Sequence, residues 1–238
     1  MFRKAVILVH GFSGGMFEME SLMTHLQLSK RFDVYAYTLP AHEKEVITKA
    51  KYTSWIKTSE EFVERILQNY KYVYIVGFSM GGVIASHLAS KYDCRKLVLL
   101  APAFDYLNFN QTKKDLLSVF EKSIEVDDVG YSFVFGKAIR VPIATVFEFQ
   151  KLVKKYQGTP KQIPCETLIM HGEIDNIVPV SASENAYNLI GHSKKYLTLI
   201  EQVRHSVLTC KRKEDVAEYI EKFLKGGSLW KKNYKSKI

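Results

Sequence analysis

Tyr72-Val73-Tyr74-Ile75-Val76-Gly77-Phe78-Ser79-Met80-Gly81-Gly82-Val83-Ile84-Ala85-Ser86-His87-Leu88-Ala89-Ser90 is the stretch that decides the fold. It contains no Asp, Glu, Lys or Arg and is long enough to cross a bilayer. Gly77, Ser79, Gly81, Gly82, Ser86, His87 and Ser90 fit a membrane span poorly. A strand over 72–76, a tight turn and a buried helix over 80–91 explain it better.

The same rhythm repeats outward. Short apolar, β-branched runs at 5–9, 33–37, 96–101, 167–170 and 196–200 read as further strands. Such uniformly apolar strands suit a sheet covered on both faces. Helical patterns lie between them at 18–28, 53–69, 181–190 and 213–224. In 53–69, Trp55, Ile56, Phe62, Ile66 and Leu67 share one face. Alternation of this kind predicts a doubly wound, mostly parallel α/β sheet.

One segment breaks the rhythm. Residues 102–164 are too many for one crossover. Helical pieces at 113–123 and 142–156 lie within it, and Gly158, Pro160 and Pro164 close it. It is expected to be an inserted cap over the C-terminal edge of the sheet. The core is then 1–101 with 165–225, and Gly226-Gly227-Ser228 opens a basic tail over 226–238.

A chain of 238 residues, 47% hydrophobic and 25% charged, supports one sizeable core and excludes disordered classes. Cys94, Cys165 and Cys210 are an odd set without a CxxC pair, so neither a disulfide framework nor a zinc site is expected. HExxH, EF-hand and Walker-type loops are missing, and no metal or organic cofactor is expected. The apolar run at 5–9 is too short for a signal-peptide core, so a cytoplasmic protein is expected. The net charge is +9, but five lysines fall in the last fourteen residues, where no acid occurs. That surplus reads as solubility and a frayed end, not as a nucleic-acid or membrane-surface module.

GxSxG occurs twice, as Gly11-Phe12-Ser13-Gly14-Gly15 and Gly77-Phe78-Ser79-Met80-Gly81. Context separates them. A nucleophilic serine needs its hydroxyl held proud on a strand-to-helix turn, with a helix N-terminus to favour developing negative charge. Ser79 has a strand before it and a helix after it. Gly14-Gly15 disfavours immediate helix initiation after Ser13.

A serine also needs a base, and the base an orienting acid. His205 falls in a loop after the 196–200 strand, and Asp175 in a loop after the 167–170 strand. Both then reach the sheet edge that carries Ser79. Glu173 is the rival acid. Among the other histidines, His10 and His171 read as structural groups at strand ends, and His42 as a pocket-lining group. His25, His87 and His192 belong with helices and packing.

Leu8-Val9-His10-Gly11-Phe12, Gly77-Phe78-Ser79-Met80-Gly81-Gly82, His171-Gly172-Glu173-Ile174-Asp175-Asn176-Ile177-Val178-Pro179 and Arg204-His205-Ser206-Val207-Leu208-Thr209 span nearly the whole chain. Together they resemble an α/β hydrolase of the bacterial carboxylesterase and monoacylglycerol-lipase-like group. The resemblance implies an α/β-hydrolase fold with catalytic Ser79, Asp175 and His205 in that chain order. It places an oxyanion hole at the backbone N–H groups of Phe12 and Met80. The family often has two strands before the His-Gly strand, so a trimmed six-stranded sheet is expected here. Glu43 and Arg204 stand where relatives usually carry smaller residues, which reshapes the pocket mouth.

The implied function is a serine esterase acting on small ester substrates, short- to medium-chain acyl esters or monoacylglycerols. Thioesterases, acyltransferases and peptidases use the same triad, and the fold also serves as a silent binding protein. Phe104, Tyr106, Leu107, Phe109, Tyr131, Phe133, Phe135, Val146 and Phe147 make the insertion rich enough in apolar groups to bind an acyl chain. Oligomeric state is not legible.

Overall fold

The structure is a computed structural model that describes residues 4–43, 48–104, 141–227 and 235–238. In chain order its elements are β1 (Lys4–Val9), a 3-10 turn (Met16–Met19), α1 (Glu20–Leu28), β2 (Asp33–Ala36), α2 (Tyr52–Leu67), β3 (Tyr72–Phe78), α3 (Met80–Lys91) and β4 (Lys96–Leu100). After these come α4 (Ile143–Tyr156), a second 3-10 turn (Thr159–Gln162), β5 (Glu166–Gly172), α5 (Val180–Leu189), β6 (Lys195–Ile200), α6 (Lys213–Lys225) and β7 (Lys235–Lys237).

The sheet order is β2-β1-β3-β4-β5-β6-β7, with every neighbouring pair parallel. All six expected strands are present. The seventh comes from the tail, which does not end with the last helix. Gly226, at φ 85°, closes α6 in the left-handed conformation. The chain then returns so that Ile238 N–H donates to the Leu199 carbonyl at 3.0 Å and Glu201 N–H to the Ile238 carbonyl at 2.9 Å.

Side chains alternate across each strand, which splits the core into two layers. Ala5, Ile7 and Val9 of β1 face α2, α3, α4 and α5. Val6 and Leu8 face α1 and α6. The helices present matching stripes. Val216, Ala217, Ile220, Phe223 and Leu224 are buried on α6 at helical spacing. Helix α3 is buried almost all round, which is why its sequence carries no charge before Lys91. Among the described residues no helix is long and apolar enough to cross a membrane.

Of the insertion, only its two ends are described. The expected helix over 142–156 is α4, with Pro142 as its N-cap. Phe149, Leu152 and Val153 bury it in the core layer that holds α2 and α3. Phe104 is buried, while the piece at 113–123 and Tyr106, Leu107, Phe109, Tyr131, Phe133 and Phe135 lie outside the described residues.

The topology marks one place at the edge of the sheet. From β1 the chain moves to β2 on one side and then crosses to β3 on the other. That reversal opens a crevice at the C-terminal ends of β1 and β3, the usual ligand position in open parallel sheets. His10-Gly11-Phe12 leaves β1 there, and Ser79 leaves β3 there.

Candidate active site

Ser79 is the residue between β3 and α3. Its backbone sits at φ 54°, ψ −117°, a conformation costing a non-glycine residue about 1–3 kcal/mol. Three backbone bonds hold it. Ser79 N–H donates to the Leu100 carbonyl at 2.9 Å. The Ser79 carbonyl accepts from Gly82 N–H at 2.9 Å and Ala103 N–H at 3.2 Å. Close packing makes the turn possible: a Cβ on Gly81 would lie 2.2 Å from the Val9 carbonyl oxygen. The hydroxyl makes no capping bond to its own helix. It lies 3.0 Å from His205 Nε2.

The partners arrive on loops after β5 and β6. His205 Nδ1 lies 2.7 Å from Asp175 Oδ2. The side chain of Asp175 is fully buried, and that of His205 is 10% exposed. A carboxylate only accepts, so Nδ1 carries the proton and Nε2 turns its lone pair to the Ser79 hydroxyl. Gly172 lets the two loops meet, since a Cβ there would lie 2.1 Å from the Arg204 carbonyl oxygen.

Four N–H groups converge on Asp175. Ile177 and Val178 donate to Oδ1 at 2.8 and 3.0 Å. His205 and His171 approach Oδ2, His171 through Nε2 at 2.9 Å. Burial alone would raise this carboxyl, but the two imidazoles and their hydrogen bonds outweigh it and hold Asp175 well below the usual range. His171 was expected to be a packing group. Its place on the acid was missed, although His171 and Asp175 lie only four residues apart at one strand end.

The turn after β1 abuts the serine. A Cβ on Gly11 would lie 3.3 Å from Ser79 Cβ. His10 is built into that turn. Its Nε2 accepts from Leu39 N–H at 3.0 Å, so Nδ1 carries the proton and donates to the Gly11 carbonyl at 2.9 Å. Burial pushes this histidine down to about 3, which keeps it neutral. Phe12 stacks on Phe149 of α4 at 4.8 Å and meets Trp55 and His42 edge-on. His42 therefore belongs to an aromatic wall beside the turn. Met80 is the first residue of α3 and is fully buried.

Sequence reasoning also passed over Glu18. Gly11 N–H donates to Glu18 Oε2 at 3.0 Å. The carboxyl fills the hollow of the turn, because a Cβ on Gly14 would lie 1.8 Å from Oε2. Burial pushes Glu18 up to about 7 against the opposing pull of the Gly11 bond and of His205.

The remaining expected candidates fall elsewhere. Ser13 lies in the turn after β1 at φ 57°, not at a helix start. His25 pairs with Glu221 at 3.2 Å and His87 with Glu60 at 2.8 Å, both through helix-borne side chains. Among the described residues no three His, Cys, Asp or Glu side chains group as a metal site.

Residues 6–210 match the alpha/beta hydrolase family. The chain belongs to that family. It is similar to the thermostable monoacylglycerol lipase of Bacillus sp. (strain H-257), 22% identical over 84% of this chain and 82% of that one. It is also similar to monoacylglycerol lipase abhd6-B of Xenopus laevis, 26% identical over 86% of this chain, but it spans only 56% of that protein. Among solved structures, a soluble variant of monoglyceride lipase from Saccharomyces cerevisiae superposes with a TM-score of 0.73 at 21% identity, covering 96% of this chain and 88% of that one. The expected α/β-hydrolase fold and lipase-like family group stand on these comparisons.

Proposed function

We propose that this family member hydrolyses carboxylic esters through an acyl-enzyme on Ser79. Short- to medium-chain acyl esters or monoacylglycerols are the substrate class. The observation that carries the reading is the unbroken chain from Ser79 Oγ to His205 Nε2, 3.0 Å, and from His205 Nδ1 to Asp175 Oδ2, 2.7 Å, on a strained strand-to-helix turn.

In this reading His205 Nε2 takes the serine proton as Oγ attacks the ester carbonyl carbon. The carbonyl oxygen becomes an oxyanion, held by the N–H groups of Phe12 and Met80 at the α3 N-terminus. Asp175 holds the imidazole and stabilises its positive form. The tetrahedral species collapses, the carbon–alkoxide bond breaks, and His205 returns the proton to the leaving oxygen. Water then gives a proton to His205 and attacks the acyl carbon. Collapse releases the acid and restores the Ser79 hydroxyl.

Phe12 is half-buried beside that turn and is backed by the buried rings of His42, Trp55 and Phe149, an apolar setting that fits an acyl group. The three free thiols fit a reducing compartment such as the cytoplasm. A fluorophosphonate probe should label the protein at Ser79, and a panel of esters with lengthening acyl chains, thioesters and amides should favour esters. Absence of labelling would overturn the reading. Labelling with thioester or amide preference would keep the triad and overturn the substrate class.

A further inference from the structure

His171 sits at the end of β5 and is completely buried. Its Nε2 has two acceptors in reach, Asp175 Oδ2 at 2.9 Å and the Val178 carbonyl at 3.0 Å. Two acceptors on one nitrogen require that Nε2 carry the proton. Its Nδ1 lies 2.7 Å from Ser183 Oγ, and Ser183 on α5 is also completely buried. In the neutral ring the Ser183 hydroxyl donates to Nδ1, which locks the proton onto Nε2.

Asp175 thus receives four N–H groups, two on each oxygen. That is the full capacity of a carboxylate. Oδ2 is shared between two imidazoles of different roles. One, His205, faces Ser79. The other, His171, is completely buried and bonds through its other nitrogen to Ser183 of α5. We infer that His171, with its tautomer fixed by Ser183, is a positioning residue for the triad acid. Its N–H pins Oδ2 where His205 needs it and draws part of the carboxylate charge away from His205.

This inference rests on the proposed Ser79–His205–Asp175 triad and deepens it. It makes a distinct demand. Without the His171 N–H, Asp175 concentrates its charge on His205 and also loses one of the contacts that orient it. Protonated His205 is then favoured, and the acid limb of kcat/KM moves to higher pH. The titratable groups facing Asp175 are His205 and His171. Beyond them, Glu18 of the 3-10 turn is in electrostatic reach of His205, which draws the Glu18 carboxyl down. Glu18 is unchanged in every variant compared, so its influence is constant across the series.

The experiment compares His171→Leu, His171→Gln and Ser183→Ala with the unmodified chain on one soluble ester. His171→Leu should lower kcat roughly 10- to 100-fold with KM within about twofold, and raise the acid limb by about half to one pH unit. His171→Gln, which keeps an N–H donor, should recover most of the rate. Ser183→Ala touches no triad atom and should move kcat and the acid limb the same way, by a few fold. Folded His171→Leu with an unchanged acid limb overturns the inference. So does His171→Gln as defective as His171→Leu, which would mark a packing role. If His171→Leu fails to fold, Ser183→Ala decides, and an unshifted profile there overturns it.

A second readout needs no turnover. The low-field proton resonance of His205 Nδ1–H should move further downfield in His171→Leu, as Asp175 concentrates its charge on that bond, and stay in His171→Gln. If the unmodified chain neither labels nor turns over esters, the functional reading fails. The resonance still reports whether His171 orders the Asp175–His205 pair.

Discussion

The two GxSxG segments make a natural experiment within one chain. Gly11-Phe12-Ser13-Gly14-Gly15 and Gly77-Phe78-Ser79-Met80-Gly81 both lie at the C-terminal end of a central strand, on neighbouring β1 and β3. Both serines even have positive φ, 57° at Ser13 and 54° at Ser79. Yet only the second begins a helix at once. Behind Ser79, α3 supplies an N-terminus and a buried anchor of Val83, Ile84 and Leu88. Behind Ser13 the chain makes one 3-10 turn, and Glu18 folds back to fill the hollow. The motif is common to both segments, so the element on its C-terminal side separates a candidate nucleophile from a candidate oxyanion loop.

The largest test breaks that comparison outright. Ser79→Ala should reduce ester turnover by about 10⁴-fold or more, whereas Ser13→Ala should stay within a few fold. An active Ser79→Ala beside a dead Ser13→Ala would reverse the two roles. The next test uses close packing. Gly81→Ala drives a methyl into the Val9 carbonyl, where backbone cannot yield cheaply. It should lower kcat on the order of 100-fold and destabilise the fold by about 2–3 kcal/mol, read by thermal melts and steady-state kinetics. Gly14→Ala meets only the end of the Glu18 side chain, which can swing aside, so its effect on kcat should be about tenfold or less.

The smallest effect is on pH-dependent stability, where the first segment should show itself. Glu18 is pushed up from 4.5 to about 7 on folding. The folded state keeps a proton there that the unfolded chain has lost, so stability falls as pH rises through that window. His10 is pushed down from 6.5 to about 3, and its contribution runs the other way: stability rises with pH through that window. The two oppose each other between 4.5 and 6.5. Glu18→Gln removes the falling component. Its unfolding free energy should gain on the order of 1–2 kcal/mol relative to the unmodified chain between about pH 5 and pH 8, the half-buried position limiting the size. Denaturant melts across that range check it, and parallel curves for the two proteins would show that Glu18 does not titrate as described.

Much of the architecture was legible because its signals are local. Each expected strand matches an observed one to within two residues at its ends, since short apolar runs bounded by turn residues have few alternatives. The helix 142–156 was legible from its own period, and Pro142 marks its start. The tail was misread for an equally physical reason. Lysine-rich residues after Gly226-Gly227 carry no apolar pattern, and β7 is held by backbone pairing to the exposed edge of β6, which composition does not encode.

The site divides in the same way. Ser79, Asp175 and His205 stood out because their chemistry is rare and their order is constrained. Glu18 and His171 were passed over because an isolated Glu or His has many ordinary uses, and only proximity gives it a special one. The start of α2 makes the point in miniature. Lys51 provides no cap, and the Tyr52 N–H is satisfied instead by Glu148 of α4 at 3.1 Å.

The sequence by itself determined the alternation of strand and helix, the turn at Ser79 and the residue types available for acid–base chemistry, because period, glycine placement and side-chain chemistry act over a few residues. The tertiary structure decided which groups share a proton. It set Asp175 between two histidines, turned Glu18 under the turn after β1 and paired the tail with the edge of β6. Hydrogen bonds of about 3 Å and the desolvation that shifts a pKa depend on distances that loop closure and packing alone fix.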